Sequence, residues 1–356
     1  GGLNFVNFGN LTNTTSGGIS LTNSSWLNLS GAISAVGQGV TLNVANGGII
    51  QNGGSNINAR RLSVTTTQGA IIGEMNQVAE LGVINVGAHN FSFRTLGDLL
   101  IDGDITSALN VMLTSATGGV TQTAGSDITA GGLNVWAETG INLTNAGNNA
   151  TRILGLFNLG SGGIAYGQTN GILIDGTIRA LNQTVSLTSV AGGISETNNI
   201  FFPQIEAGTL NLSAGGAITL HRDNDVDNLR VVSAGGDFTF NDVDGFNLSG
   251  NINSGAAVLT ARNGSIVQTG GVLTATSLNA NATGALDLDR ANAVSGNVTL
   301  TAGGDAVYRN AGSLRIGGVS AGGSISLRSN TGAVTQVGAM TSGALNVAAG
   351  TGVTVN

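Results

Sequence analysis

The chain has no cysteine and no lysine, one proline (Pro203), and aromatic residues at only 4% of its 356 positions. Without cysteine there are no disulfides, no thiolate nucleophile and no thiolate metal ligands. All 12 basic residues are scattered arginines and the net charge is −7, so nothing makes a cationic footprint for nucleic acid or acidic lipid. Charged residues of either sign reach only 9%, and the polar face is built instead from Asn, Thr and Ser. No apolar run is long enough to cross a membrane as a helix, no helical periodicity persists beyond about two turns, and Gly1-Gly2-Leu3-Asn4-Phe5 contains no basic stretch followed by an apolar one. Glycine, by contrast, fills 59 positions without a collagen triplet, which reads as turn residues with positive φ.

What is abundant is periodic. Trp26-Leu27-Asn28-Leu29-Ser30-Gly31 returns as Leu99-Leu100-Ile101-Asp102-Gly103, Ile172-Leu173-Ile174-Asp175-Gly176, Phe246-Asn247-Leu248-Ser249-Gly250 and Leu314-Arg315-Ile316-Gly317-Gly318, and its glycines step by 72, 73, 74 and 68. A second marker, Gln51, Gln122, Glu196, Gln268 and Gln336, steps by 71, 74, 72 and 68. One unit therefore runs about five times through the chain. Inside it, pairs such as Leu42/Val44 and Leu62/Val64 flank a polar residue, and Ala-Gly-Gly breaks follow at Ala214, Ala234, Ala302 and Ala321. Alternation of period two means strand and the breaks mean turn. Four strand-turn copies in a unit give coils of about 18 residues, too short to close a core alone, so they must stack edge to edge. The expected fold is all-β, a parallel β-helix (solenoid) of about 18-residue coils in about five 72-residue units and about 20 coils. We expect residues 1–356 to form a single continuous β-helical segment of a longer chain, because Gly352-Val353-Thr354-Val355 are ordinary repeat residues without a polar cap.

Runs such as Leu210-Asn211-Leu212-Ser213-Ala214-Gly215-Gly216-Ala217-Ile218-Thr219-Leu220 and Val298-Thr299-Leu300-Thr301-Ala302-Gly303-Gly304-Asp305 resemble the repeats of filamentous-haemagglutinin-like exoproteins, the two-partner-secreted adhesins of Gram-negative bacteria. The resemblance covers nearly the whole chain. It implies a right-handed parallel β-helix, a shaft displayed outside the cell and made as part of a longer polypeptide. The Asn-Pro-Asn signatures of the secretion domain in such exoproteins have no counterpart in a chain whose sole proline is Pro203, which reads as shaft and not secretion module.

Some parallel β-helices are polysaccharide lyases or hydrolases, and glycoside hydrolysis needs two carboxyl groups about 5–9.5 Å apart. Asp102 and Asp175 stand in consecutive units, too far apart along a stacked shaft to cooperate. Of the pairs Asp102/Asp104, Asp242/Asp244 and Asp287/Asp289, none is expected to be catalytic: Asp287 and Asp289 read as the solvated side of a strand, and Asp102 and Asp104 flank a turn glycine. His89 and His221 stand in different units, about seven coils apart, and cannot share a zinc ion. We therefore expect no enzyme, no catalytic residue and no cofactor. No metal is expected either, although Asp223, Asp225 and Asp227 resemble the opening of a calcium loop; Asn228 replaces its sixth-place glycine and Ala234 its last acid.

The chain leaves the repeat pattern at Glu74 to Glu80, Asn145 to Arg152, Arg222 to Asn228 and Arg290 to Ser295. A shared register would set these departures as loops in one row along the shaft. Glu74, Glu80, Asn148, Arg152, Asp223, Asp225 and Arg290 are its candidate interaction residues, and the adjacent Phe201 and Phe202 form a candidate lateral contact. The reading is a structural shaft segment of an exported surface fibre or adhesin, secreted or on the surface of a Gram-negative bacterium. An adhesive or glycan-binding module using the loop row is the alternative, and a β-helical polysaccharide lyase or hydrolase the second. Its partners would be the rest of the same polypeptide, further copies laterally or end to end, and a glycan or protein of a host or neighbouring cell, with neither nucleic acid nor membrane insertion.

Overall fold

A computed structural model describes residues 5–198 and 204–355, and among them finds 36 strands and no helix. Phe201, Phe202 and Pro203 lie outside the described residues. The fold is a right-handed parallel β-helix of about 16 turns. It forms because the apolar residues alternate: Leu27 and Leu29 are buried while Asn28 between them is only partly covered. Each strand pairs in parallel with its equivalent one turn on, so inward side chains stack as columns at about 4.8 Å.

Contacts divide the chain into two compact units, 1–180 and 181–356. In the first, one column runs Leu27, Ile49, Ala70, Phe91, Val111, Leu133, Ile153 and Ile174, seven steps that average 21 positions. In the second, Phe246, Ile266, Leu286, Ala306, Ile325 and Leu345 make five steps that average about 20. The turn is thus longer than the coil expected from the sequence. Dividing the unit into four whole turns was the error, since a marker step of about 72 taken in ladder steps of 20 or 21 makes three and a half turns.

The half turn changes the surface. Leu29 pairs with Gln51, and Ile174 reaches the Leu27 column through Ile153 and Leu133, so the first and third copies share a ladder. Ile101 of the second copy instead pairs with Leu81, which pairs with Leu62 on another ladder. In the second unit, Leu248 pairs with Leu229 and Gln268, whereas Ile316 pairs with Val298 and Gln336. Within each unit, successive copies therefore face different sides.

The glycines also serve a purpose other than the expected one. Only nine of those described have positive φ. At the marker position Gly103, an added Cβ would lie 2.6 Å from the carbonyl carbon of Gly82 and 2.7 Å from the nitrogen of Val83; at Gly250 it would run into the carbonyl oxygen of Arg230. The glycine recurs because the backbone of the previous turn passes where a side chain would stand.

Candidate functional site

Each Gln marker described in this section is one end of a buried or, at Gln122, half-buried polar contact spanning more than a turn. Gln51 Nε2 donates to Asn76 Oδ1 (2.8 Å) and Asn76 Nδ2 returns a bond to Gln51 Oε1 (3.2 Å). Gln122 and Asn148 repeat the exchange at 2.8 and 3.1 Å, and Gln268 and Asn292 at 2.8 and 3.0 Å. The asparagine oxygen also accepts a backbone N–H, from Ile57 (2.7 Å), Ile128 (2.9 Å) and Leu273 (2.9 Å). These amides bridge a corner where the strand ladder is interrupted, which is why a polar side chain is tolerated inside.

One turn further, Thr95, Gln168 and Asn310 extend the columns by accepting from the N–H of Val78 (3.2 Å), Ala150 (3.0 Å) and Val294 (3.0 Å). Two residues before each stands a buried aromatic, Phe93, Tyr166 or Tyr308. The Tyr166 hydroxyl donates to Gln168 Oε1 (2.7 Å) and that of Tyr308 to Asn310 Oδ1 (3.1 Å), and burial pushes both phenols up.

The third copy keeps this plan with acids. Glu196 takes the glutamine place, Asn224 the asparagine place and Asp242 the last, with Phe240 before it. Asn224 Oδ1 accepts from Ile205 N–H (3.1 Å), and Asp242 Oδ2 from Val226 N–H (3.0 Å). Glu196 Oε2 accepts from Arg222 N–H (2.9 Å), as Gln51 Oε1 does from Glu74 N–H (3.2 Å). By that correspondence Glu196 Oε1 stands where the other copies have Nε2, and it is buried without a hydrogen-bond partner among the described residues. Burial pushes the Glu196 carboxyl up to about 7, against the Arg222 and His221 backbone, the Asn224 side chain and the Arg222 charge. Asp242 is pushed up to about 8, first by burial and then by its hydrogen bond with Asp244.

The outer candidates are placed differently from the expected row of loops. Glu74 and Glu80 lie in the strand Ala70–Asn85, Arg152 in Asn149–Asn158, Asp223, Asp225 and Asp227 in Ile218–Ala234, and Arg290 in Leu286–Val294. Glu80 adjoins the ladder of Leu81 and Arg152 that of Ile153, so the two positions sit on different sides. Asn148 is 1% exposed and belongs to the interior column. Several others are held across turns: Arg60 with Glu80 (2.7 Å), Arg152 with Asp175 (3.0 Å), Arg262 with Asp223 (2.6 Å), and Arg61 with Asp102. Glu74 accepts from Gly54 N–H (3.4 Å), and Arg290 donates to the Thr269 carbonyl (2.7 Å). Asp225 remains exposed, its carboxyl raised by partial burial and by Asp244 and Asp227. No three His, Cys, Asp or Glu side chains among the described residues come together as a metal site requires.

One surface feature escaped the sequence. Trp136 and Phe157 pair in register on an outer face, their rings stacked at 4.0 Å and 19°. Phe157 lies across Gly155, where a Cβ would meet its ring. Trp136 keeps 36% exposure beside an open depression of about 270 Å³ lined by Arg94, Met112, Thr114, Glu138 and Leu159. Its signal was an aromatic residue among outward positions of its strand that are otherwise Thr129, Gly131 and Asn134. In comparisons with protein families, curated proteins and solved structures, none matches the chain.

Proposed function

We propose that the chain is a non-catalytic shaft segment of an exported bacterial surface fibre or adhesin, of the filamentous-haemagglutinin-like kind its repeats resemble. The observation that carries this reading is the succession of parallel turns whose conspicuous polar residues serve the stack itself. The Gln–Asn columns fasten corners, and outer arginines such as Arg60, Arg152 and Arg262 are paired with acids across turns. Such a segment acts by length: it sets how far something else stands from the cell.

The test is an in-frame removal of residues 27–173 from the parent polypeptide, which takes out seven turns and joins Trp26 to Ile174, the residue seven steps on in the column of Leu27. Surface display should persist with a shorter projection and unchanged attachment to cells. Loss of attachment with display intact would reject the spacer role.

A glycan-binding module is the second reading, and the Trp136–Phe157 plate favours it over the outer acids and arginines. Exposed aromatic faces suit the apolar face of a sugar ring, and Arg94 and Glu138 lie at the rim. A Trp26→Phe chain leaves Trp136 as the fluorescent reporter. Quenching by oligosaccharides, abolished by Trp136→Ala, would establish this role, and a flat titration would remove it.

A further inference from the structure

Four columns built to one plan, buried except at the half-covered Gln122, differ in a single chemical respect. Three are closed by neutral groups: Gln51–Asn76–Thr95, Gln122–Asn148–Gln168 and Gln268–Asn292–Asn310. The third in chain order, Glu196–Asn224–Asp242, has a carboxyl group at each end, and all three side chains are buried, at 6%, 0% and 0% exposure.

The hydrogen-bond count decides what state those carboxyls must take. In the glutamine copies, Nε2 donates to the asparagine oxygen while Oε1 accepts from the asparagine amide and, at Gln51, a backbone N–H. An ionised Glu196 has only acceptors: Oε2 takes the Arg222 N–H, and Oε1, which by correspondence with the glutamine copies fills the place of Nε2, has no proton to give and no hydrogen-bond partner among the described residues. A neutral Glu196 has one hydroxyl and one carbonyl. It reproduces the donor and acceptor of glutamine at nearly the same size. The far end differs in detail. Thr95 Oγ1 donates to the Val78 carbonyl (2.9 Å) and Asn310 Nδ2 to that of Val294 (3.1 Å), whereas Asp242 accepts at both oxygens, from Val226 N–H (3.0 Å) and Asp244 N–H (3.2 Å), and can donate at this place only when protonated.

We propose that the Glu196–Asn224–Asp242 column is a proton-operated fastener, closed when both carboxyls carry a proton and loosened when they lose it, in a fold whose other columns are closed at every pH. The surrounding charges favour the proton at one end and oppose it weakly at the other. Asp242 meets Asp244 beyond its own strand, and Asp225 and Asp227 lie on the strand before it, with Glu206 in register with Asp225. Arg262 reaches the Asp242 carbonyl through its backbone N–H, but its guanidinium is engaged by Asp223. Glu196 faces Arg222 and His221 from the following turn; Arg222 also bonds the Thr197 carbonyl, and both side chains contact Asn198. The displaced values place the change between about pH 7 and pH 8, the range in which Glu196 and then Asp242 ionise. Opening lets the acids ionise near their ordinary values, so the opening equilibrium rises with pH across that window.

Amide exchange of the whole chain, read at pH 5.5 and 8.5 as protection relative to intrinsic rates, tests this directly. The amides of Ile205 and Val226, which bond Asn224 and Asp242, should lose about tenfold or more of their protection at the higher pH. Those of Ile57, Val78, Leu273 and Val294, which occupy the same places in the neutral columns, should hold theirs. In a Glu196→Gln, Asp242→Asn chain the pH response should vanish, because the third column then carries the groups of the fourth. Conversely, Gln268→Glu should make Leu273 pH-sensitive. Persistence of the response in the double variant, or a Leu273 amide indifferent to pH in Gln268→Glu, would overturn the proposal. Equal pH behaviour of all four columns in the unaltered chain would do so as well.

Discussion

The columns that begin at Gln122 and at Glu196 fill the same place in two successive copies, and each stacks a polar side chain over a buried asparagine. In the first, every donor is built into an amide. In the second, two donors must be borrowed from solvent as protons. The difference teaches that the corner requires a shape and a count of donors and acceptors; residue identity follows from that count. It also explains how an acid can enter the interior of so weakly charged a chain: as a neutral acid, glutamate is nearly a glutamine.

The harshest way to break the comparison is to ruin the apolar layer shared by both. Leu212 and Leu300 are each 1% exposed, and Leu212→Asp or Leu300→Asp would bury an unpaired charge among columns of Leu, Val and Ile. The expected loss is about 4 kcal/mol or more in denaturant unfolding, and melting like the unaltered chain would show that the register is wrong.

A gentler change sharpens it. Glu196 has its value raised from 4.5 to about 7, so the folded state binds a proton more tightly than the unfolded one. Its contribution to stability is full below about pH 4.5 and is lost as pH rises towards 7, where the native carboxyl finally ionises. Glu196→Gln should therefore stabilise the second unit by up to about 3 kcal/mol at pH 8 and by nearly nothing at pH 4, measured as unfolding curves at both. A gain independent of pH would point to packing instead.

Removing the middle of each column should cost less than the core charge does. Asn148→Ala orphans the Gln122 amide and the Ile128 N–H, and Asn224→Ala orphans the Ile205 N–H. We expect about 1–3 kcal/mol for each, with the Asn148 variant losing the more at pH 8 because its column is then the better closed of the two. The smallest effect belongs to the surface. Arg60→Ala removes the ion pair with Glu80 and should shift stability by about 1 kcal/mol or less, an effect that moderate salt erases.

Much of this was legible in the sequence, and the residues show where legibility stopped. The Leu27/Leu29 alternation and the recurring glycines lead to stacked strands because both are local signals. The Gln51 marker was visible as a period, but its partner Asn76 comes from more than a turn further along, so the contact exists only once the coil is closed. The polar stretch from Glu74 to Glu80 read as a loop for the same reason. A buried asparagine looks like a turn residue until its bonding partners, brought from neighbouring turns, are in place. The Trp136–Phe157 plate needed the register itself, since the two rings belong to successive turns and meet only across a ladder. Short Gly-Ala-Leu-Thr runs carry too little information to separate one stacked-strand family from another, so kinship with exported fibres stays a proposal.

The half-integral number of turns per copy carries a consequence for how such a chain can grow. Adding a single copy lengthens the stack but presents its features on the opposite flank, so like surfaces recur only after two copies, seven turns or about 34 Å along the axis. A chain extended by duplication in this way writes its pattern in alternating lines, as a page printed on both sides does. Within the first unit, a partner that reads one flank therefore meets the first copy and the third and passes over the second.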